Sequence, residues 1–296
     1  MNLFEFAISA AGERERSGRF STAHLYRAAI RSLARCIGTR RIAFSAITPV
    51  LLARYEQWLR ARGCRPNTIS TYMRMLRSLL NQAARRRLTK PRAGLFLGVF
   101  TGVEASHSRA IDAPALRKIL FAPVTDERLL RAQQTARLQY LLCGMPMADL
   151  ARLSPHNLRG DILDYRRQKT GVRICFRIDG PTAALLREWG ERNGASPQAF
   201  ASRASWQRHQ HRLARYNQHL RLLAAAVGLP SGLRVSSYSL RHGWAQVSKR
   251  AGLPVEQISE LLGHRNIATT QIYLRRFNED ELARSIRRNL AFLAQA

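Results

Sequence analysis

An imidazole and a phenol nine residues apart, His264 and Tyr273, stand in the C-terminal run "ISELLGHRNIATTQIYLRR", which covers residues 258 to 276. Such a pair has the groups for proton transfer and for nucleophilic attack. Packing explains them as readily when they are taken alone. Ile267, Ile272 and Leu274 would then be core, His264 a surface imidazole after the helix-ending Gly263, and Tyr273 an amphipathic edge residue. Only the rest of the sequence decides between these readings.

The chain has 296 residues, 46% of them hydrophobic, enough for two globular domains. Lys plus Arg number 49 against 19 Asp plus Glu, a formal charge of +30 spread along the chain. A field of that sign calls for a polyanionic partner. Nucleic acid suits it better than a membrane, because no basic segment carries a Trp/Phe-rich apolar face. Lysine occurs only at Lys90, Lys118, Lys169 and Lys249. Arginine is effectively never deprotonated, so a lysine inside a motif is the more informative cation where a proton must be given up. Cys36, Cys64, Cys143 and Cys175 are scattered, with no C-x-x-C pair and no histidine at ligand spacing. They read as free thiols, with no metal site and no cofactor expected. No apolar run reaches membrane-spanning length and the N-terminus has no signal-peptide pattern, so the expected location is the cytoplasm.

The elements that would position the pair are mostly helical. Residues 1–90 show three helical patterns: one capped at Ser21 or Thr22 and stopped by Gly38, one capped by Thr48 with Pro49 at its first position, and one capped by Asn67. The third shows Arg74, Arg77, Arg85, Arg86 and Arg87 opposite its apolar face, a candidate phosphate-contact surface. Pro91, Gly94, Gly98 and Gly102 break the pattern, so a linker is expected over 91–108. After it come further helices and one short β patch. In "VRICFRI" Val172, Ile174, Phe176 and Ile178 alternate with polar positions, and "KTG" reads as the turn before the strand.

The segment "SYSLRHGWAQVSKRAGLPVEQISELLGHRNIATTQIYLRRF" closely resembles the C-terminal signature of tyrosine recombinases, the phage-integrase family. In that family an Arg-His pair opens one helix, "LGH" ends another, and the nucleophilic tyrosine follows nine residues after that histidine. The matching positions here are Arg241, His264 and Tyr273, and "QKTG" matches the family's β-hairpin lysine at Lys169. The resemblance implies a mostly α fold with a small β-hairpin sheet, arranged as a two-domain, C-shaped DNA clamp. Residues 1–90 would be the core-binding domain and 109–296 the catalytic domain, ending in an exchange helix over about 279–293.

The chemistry suits these residue types. A tyrosine nucleophile conserves the phosphodiester as a 3′-phosphotyrosyl ester, so strands rejoin without an energy source. Arg241 and His264 would donate to the phosphoryl oxygens, and Lys169 would protonate the departing 5′-oxygen.

Two positions depart from the family pattern. Pro146 in "CGMPMADLARL" stands where the first catalytic arginine is expected, and Tyr238 in "YSLR" replaces a histidine. Both features resemble a variant branch of Bacteroides-type integrases and DNA invertases. Arg137, Arg152 and Arg173 are the sequence candidates for the missing arginine, and the Tyr238 hydroxyl is a candidate phosphate ligand. The function implied is site-specific DNA recombination by a tetramer on two sites with short repeats, either inversion or mobile-element integration and excision. The alternatives are a catalytically impaired DNA-binding regulator and a type IB topoisomerase-like enzyme.

Overall fold

The structure is a computed structural model that describes residues 1–104, 111–271, Leu274 and Arg287. Tyr273 and the helix expected over 279–293 lie outside the described residues. The chain divides into two compact units, Met1–Ser106 together with Phe200–Trp206, and the remainder.

Four helices build the first unit: α1 (Leu3–Arg16), α2 (Phe20–Ile37), α3 (Pro49–Ala61) and α4 (Pro66–Arg85). A capping box starts α1, since the Asn2 side chain accepts from the Glu5 N–H while Glu5 accepts from that of Asn2. Thr48 caps α3 as its sequence suggests, accepting from the Leu51 N–H at 3.1 Å, and Gly38 ends α2 in the left-handed region at φ 86°. Two expected caps are not used. The N-cap of α2 is Arg19 and that of α4 is Arg65. Asn67 falls inside α4, and its side chain pairs instead with the backbone of Glu104 at 2.9 and 3.2 Å.

The first core joins Leu3, Phe6, Ile30, Leu33, Leu52, Tyr55, Leu59, Met73 and Leu76. Leu95, Phe96 and Val99 also belong to it, so the segment expected to begin a linker is packed wall up to that point. Their side chains explain why the break in helical pattern is not a break in the unit.

In the second unit α5 (Ala113–Phe121) and α6 (Glu127–Leu141) lead into the short α7 (Met147–Leu150). A three-stranded antiparallel sheet follows, of β1 (Leu158–Arg159), β2 (Ile162–Arg166) and β3 (Arg173–Arg177), in the order β1-β2-β3. The remaining elements are α8 (Gly180–Asn193), α9 (Arg203–Ala226), α10 (Ser237–Arg250), α11 (Val255–Leu262) and α12 (Ile267–Gln271). The mostly helical fold with one small sheet is thus as the sequence suggests.

The register pairs Leu163 with Phe176 and Tyr165 with Ile174, which puts the alternating apolar set of both strands on one face. That face packs with Leu138, Leu142, Leu150 and Trp189 in one core cluster. A second cluster joins α5, α6 and α9 through Leu116, Ile119, Tyr216 and Leu220, and a third holds α11 against α10 through Trp244, Ala245, Ile258 and Leu262. Together these layers bring the turn after α6, the β2–β3 hairpin, the start of α10 and the end of α11 to one place. Among the described residues no helix is long and apolar enough to cross a membrane.

Candidate functional site

A capping box also starts α10. Ser236 Oγ accepts from the Ser239 N–H at 3.2 Å, and Ser239 Oγ accepts from the Ser236 N–H at 2.7 Å. Arg241 follows in the next turn and is only 5% exposed. Its Nη1 donates to the Gly144 carbonyl at 2.9 Å and its Nη2 to the Leu262 carbonyl at 2.5 Å.

Both acceptors belong to turns that only an unusual backbone can make. Cys143 and Gly144 take consecutive positive φ values of 56° and 67°. A Cβ on Gly144 would lie 3.1 Å from the Arg241 Cα, so glycine serves here both the φ and the close approach of α10. Gly263 ends α11 at φ 65°, and a Cβ there would stand 2.6 Å from Arg167 Cγ. The helix stop and the site contact are one residue.

Arg167 is the residue that sequence reading missed. It is the first residue after β2, where its N–H donates to the Val172 carbonyl at 2.9 Å and its own carbonyl accepts from the Gly171 N–H at 2.8 Å. Its guanidinium lies inward, Nε 3.0 Å from Asp149 Oδ2, with Nη1 donating to the same Leu262 carbonyl that Arg241 uses. Asp149 Oδ1 accepts from the Gln168 N–H at 2.8 Å. Burial pushes the Asp149 carboxyl above its ordinary range, against the pull of Arg167. Leu262 closes α11, where carbonyls lack helical partners and the dipole is negative, so two guanidinium groups converge on it at reduced electrostatic cost. The sequence signal was the position of Arg167 in "RRQKTG", two residues before Lys169. Its partner Asp149 is an unremarked acid in "PMADL".

His264 follows the Gly263 turn. Nε2 lies 3.4 Å from Arg241 Nη2, and Nδ1 lies 2.9 Å from Thr270 Oγ1. Burial lowers its pKa to about 4, helped by the charges of Arg241, Arg167 and Lys169 and by His242. The ring is therefore neutral at pH 7, with one N–H donor and one acceptor nitrogen. A stability consequence follows from linkage. The unfolded ring takes its proton near pH 6.5, whereas the folded ring refuses it down to about pH 4. The contribution is fully present above 6.5 and is lost as pH falls through that window. Urea midpoints measured from pH 7 to 4 should fall, and His264→Gln should flatten part of that fall; an unchanged slope would contradict the burial of a neutral ring.

Lys169 is exposed in the hairpin turn, which Thr170 ties to the Gly263 carbonyl at 3.1 Å through its hydroxyl. Tyr238 is 45% exposed one turn before Arg241, its ring edge-on to His242 at 4.4 Å between centroids. The structure gives Arg137 and Arg173 partners elsewhere, while Arg152 lies close enough to pull on the Asp149 carboxyl. Arg137 donates to the Leu120 carbonyl and to Gln133 and lies over the Phe121 ring, at the end of α5. Arg173 pairs on the open sheet face with Asp164, at 2.6 and 2.9 Å, and Arg152 is exposed beyond α7. Arg137 and Arg173 already have local partners, so nearness in sequence misled. Arg74, Arg77 and Arg85 on α4 are exposed, as are Arg86 and Arg87 just after it. Arg86 also makes a two-pronged pair with Glu13 of α1, at 2.5 and 2.8 Å. Among the described residues no group of three His, Cys, Asp or Glu side chains is placed to hold a metal ion.

Two family descriptions match. Residues 2–93 fit the phage integrase SAM-like domain, and residues 111–280, more than half of the chain, fit the phage integrase family. The chain belongs to the phage integrase family. Relatives among curated proteins include the tyrosine recombinase XerC of Chromobacterium violaceum, 30% identical over 135 residues, which are 44% of each chain. XerC of Shewanella amazonensis is 27% identical over 176 residues, 55% of each. The chain thus spans about half the length of the curated relatives it matches. Among solved structures, a lambda integrase dimer bound to a core site aligns with a TM-score of 0.63 at 15% identity, over 86% of this chain and 88% of that one. At that identity it speaks for the integrase fold alone.

Proposed function

We propose that this phage integrase family member is a site-specific DNA recombinase. It cleaves and rejoins double-stranded DNA through a 3′-phosphotyrosyl ester on Tyr273. The observation that carries the reading is the convergence of Arg241 and Arg167 on the Leu262 carbonyl beside His264, with Lys169 on the adjoining turn. Two buried guanidinium groups, with the Lys169 cation on the adjoining turn, make a local field fitted to a phosphoryl group. Arg167 takes the phosphate-binding role left vacant at Pro146, in place of the arginines suggested by sequence. The exposed arginines of α4, Arg74, Arg77 and Arg85, add contacts to backbone phosphates.

In the reaction the Tyr273 oxygen attacks phosphorus and the 5′-oxygen leaves. Arg241 and Arg167 stabilise the charge on the non-bridging oxygens, and Lys169 gives its proton to the leaving oxygen. Lys169→Ala should slow cleavage by a factor on the order of 10² while leaving DNA affinity nearly unchanged, as for a positioned acid. A substrate whose leaving atom is 5′-sulfur should recover most of that rate. No recovery would reduce Lys169 to a binding charge.

A lambda integrase tetramer is known on a Holliday junction. By the same logic two DNA sites with short repeats, held by four copies of this chain, are the proposed assembly, serving inversion or the integration and excision of a mobile element. The deciding experiment places the DNA that flanks the gene on a plasmid, expresses the chain, and sequences for inverted or excised junctions. Relaxed plasmid without new junctions would favour a topoisomerase; binding without either would favour a DNA-binding regulator.

A further inference from the structure

His264 stands between two groups that decide where its proton sits. A guanidinium has N–H donors and no acceptor, so the ring nitrogen that faces Arg241 Nη2 at 3.4 Å presents its lone pair. The proton of the neutral ring then belongs on Nδ1, where Thr270 Oγ1 accepts it at 2.9 Å. Thr270 is fully buried at the start of the segment leading to Tyr273, and the turn into α12 is held by Asn266 Oδ1 accepting from the Ala268 N–H at 2.8 Å. Among the described residues, the charged and titratable groups that act on the imidazole are Arg241 and His242 from α10 and Arg167 and Lys169 from the hairpin. None of them is a carboxylate that would welcome a second proton.

We infer that Thr270 is a positioning residue for His264, its hydroxyl accepting the Nδ1 proton and so fixing the tautomer whose Nε2 is a proton acceptor. The geometry stands by itself, while its consequence rests on the reading of Tyr273 as nucleophile. In that reaction the tyrosyl O–P bond forms as the P–O5′ bond breaks, the Tyr273 proton passes to water, and the 5′-oxygen takes its proton from Lys169. His264 stays neutral, and its Nε2 lone pair holds the Arg241 guanidinium that meets the phosphoryl oxygens. A ring protonated on Nε2 would turn an N–H toward that guanidinium and lose the contact.

Selective nitrogen-15 labelling of the histidines in the full chain, with His264→Gln to assign the signal, reads the tautomer without DNA. The wild type should show one neutral form, protonated on Nδ1. Thr270→Ser should keep it, and Thr270→Val, similar in shape but without an acceptor, should populate both forms. On a nicked DNA substrate Thr270→Val should cleave about tenfold more slowly or worse at saturating DNA, with Kd unchanged and Ser restoring the rate. Wild-type protonation on Nε2, an unaltered tautomer in Thr270→Val, or an unaltered cleavage rate would each overturn the inference. If Thr270→Val fails to fold, the wild-type and Thr270→Ser spectra decide it. A covalent adduct that persists in Tyr273→Phe would sink the nucleophile reading while leaving the tautomer assignment intact.

Discussion

Incubated in EDTA with a nicked duplex taken from the DNA flanking its gene, the wild-type chain should trap a covalent protein–DNA adduct, and Tyr273→Phe should trap none. The nick lets the short 5′ fragment diffuse away after cleavage, so the ester cannot be resealed. Loss should be complete within detection, because removing a nucleophile removes the bond itself and not a share of its stabilisation. Binding to the same duplex should survive, since one phenolic oxygen is a small part of a surface carrying +30 of charge. The check is a denaturing gel that separates free protein from the adduct, with protease treatment releasing the label. An adduct of undiminished yield in Tyr273→Phe would move the chemistry to another residue. Loss of binding along with cleavage would make Tyr273 a structural residue.

The second large effect is expected at Arg167. Its guanidinium and the Asp149 carboxylate are 8% and 3% exposed, so Arg167→Ala leaves a buried acid without its partner. Breaking such a pair costs about 3–5 kcal/mol. Part of any activity loss would then be loss of folded protein, and the variant alone would decide little. Arg167→Met combined with Asp149→Asn separates the two effects. Asparagine keeps an acceptor for the Gln168 N–H, and methionine fills the volume without a charge, so stability should return to within about 1–2 kcal/mol of wild type, as pairs replaced together often do. Cleavage should stay down by about 10² to 10³, the scale of one lost oxyanion donor. Urea midpoints give the first quantity and single-turnover cleavage the second. Restored cleavage in the stable double variant would make Arg167 a structural cation and return the search for a second phosphate-binding arginine to the sequence candidates.

Local signals were legible where a residue's partner lies within a turn of it. Thr48 caps α3 because the Leu51 N–H is three residues away, and the alternation in β3 is visible because strand period and burial share one short segment. The capping box of Asn2 and Glu5 is equally local, its two members three residues apart. Misreadings arose where a side chain is claimed from far off. Asn67 looks like a cap but is taken by Glu104, and Arg86 looks like part of a DNA-facing row but is taken by Glu13, 73 residues away. The family signature located Arg241 and His264. Arg167 escaped because what defines it, Asp149 and the Leu262 carbonyl, is contributed by other turns, the latter 95 residues distant. Pair spacing in a sequence cannot express a charge that becomes buried only when three turns meet.

The two arginines at the site are anchored largely by main-chain oxygens, Gly144 and Leu262 for Arg241 and Leu262 again for Arg167. A carbonyl is an acceptor that no point substitution deletes. The identity of residue 262 is therefore free to drift among apolar side chains without removing the anchor, while the paths of the turns at 143–144 and 262–263 are not. A comparison that scores side chains alone would pass over the parts that hold the guanidinium groups in place. Transplanting the site to another scaffold would require carrying those two glycine turns, because the same side chains on differently shaped loops would lack the carbonyls that hold both guanidinium groups.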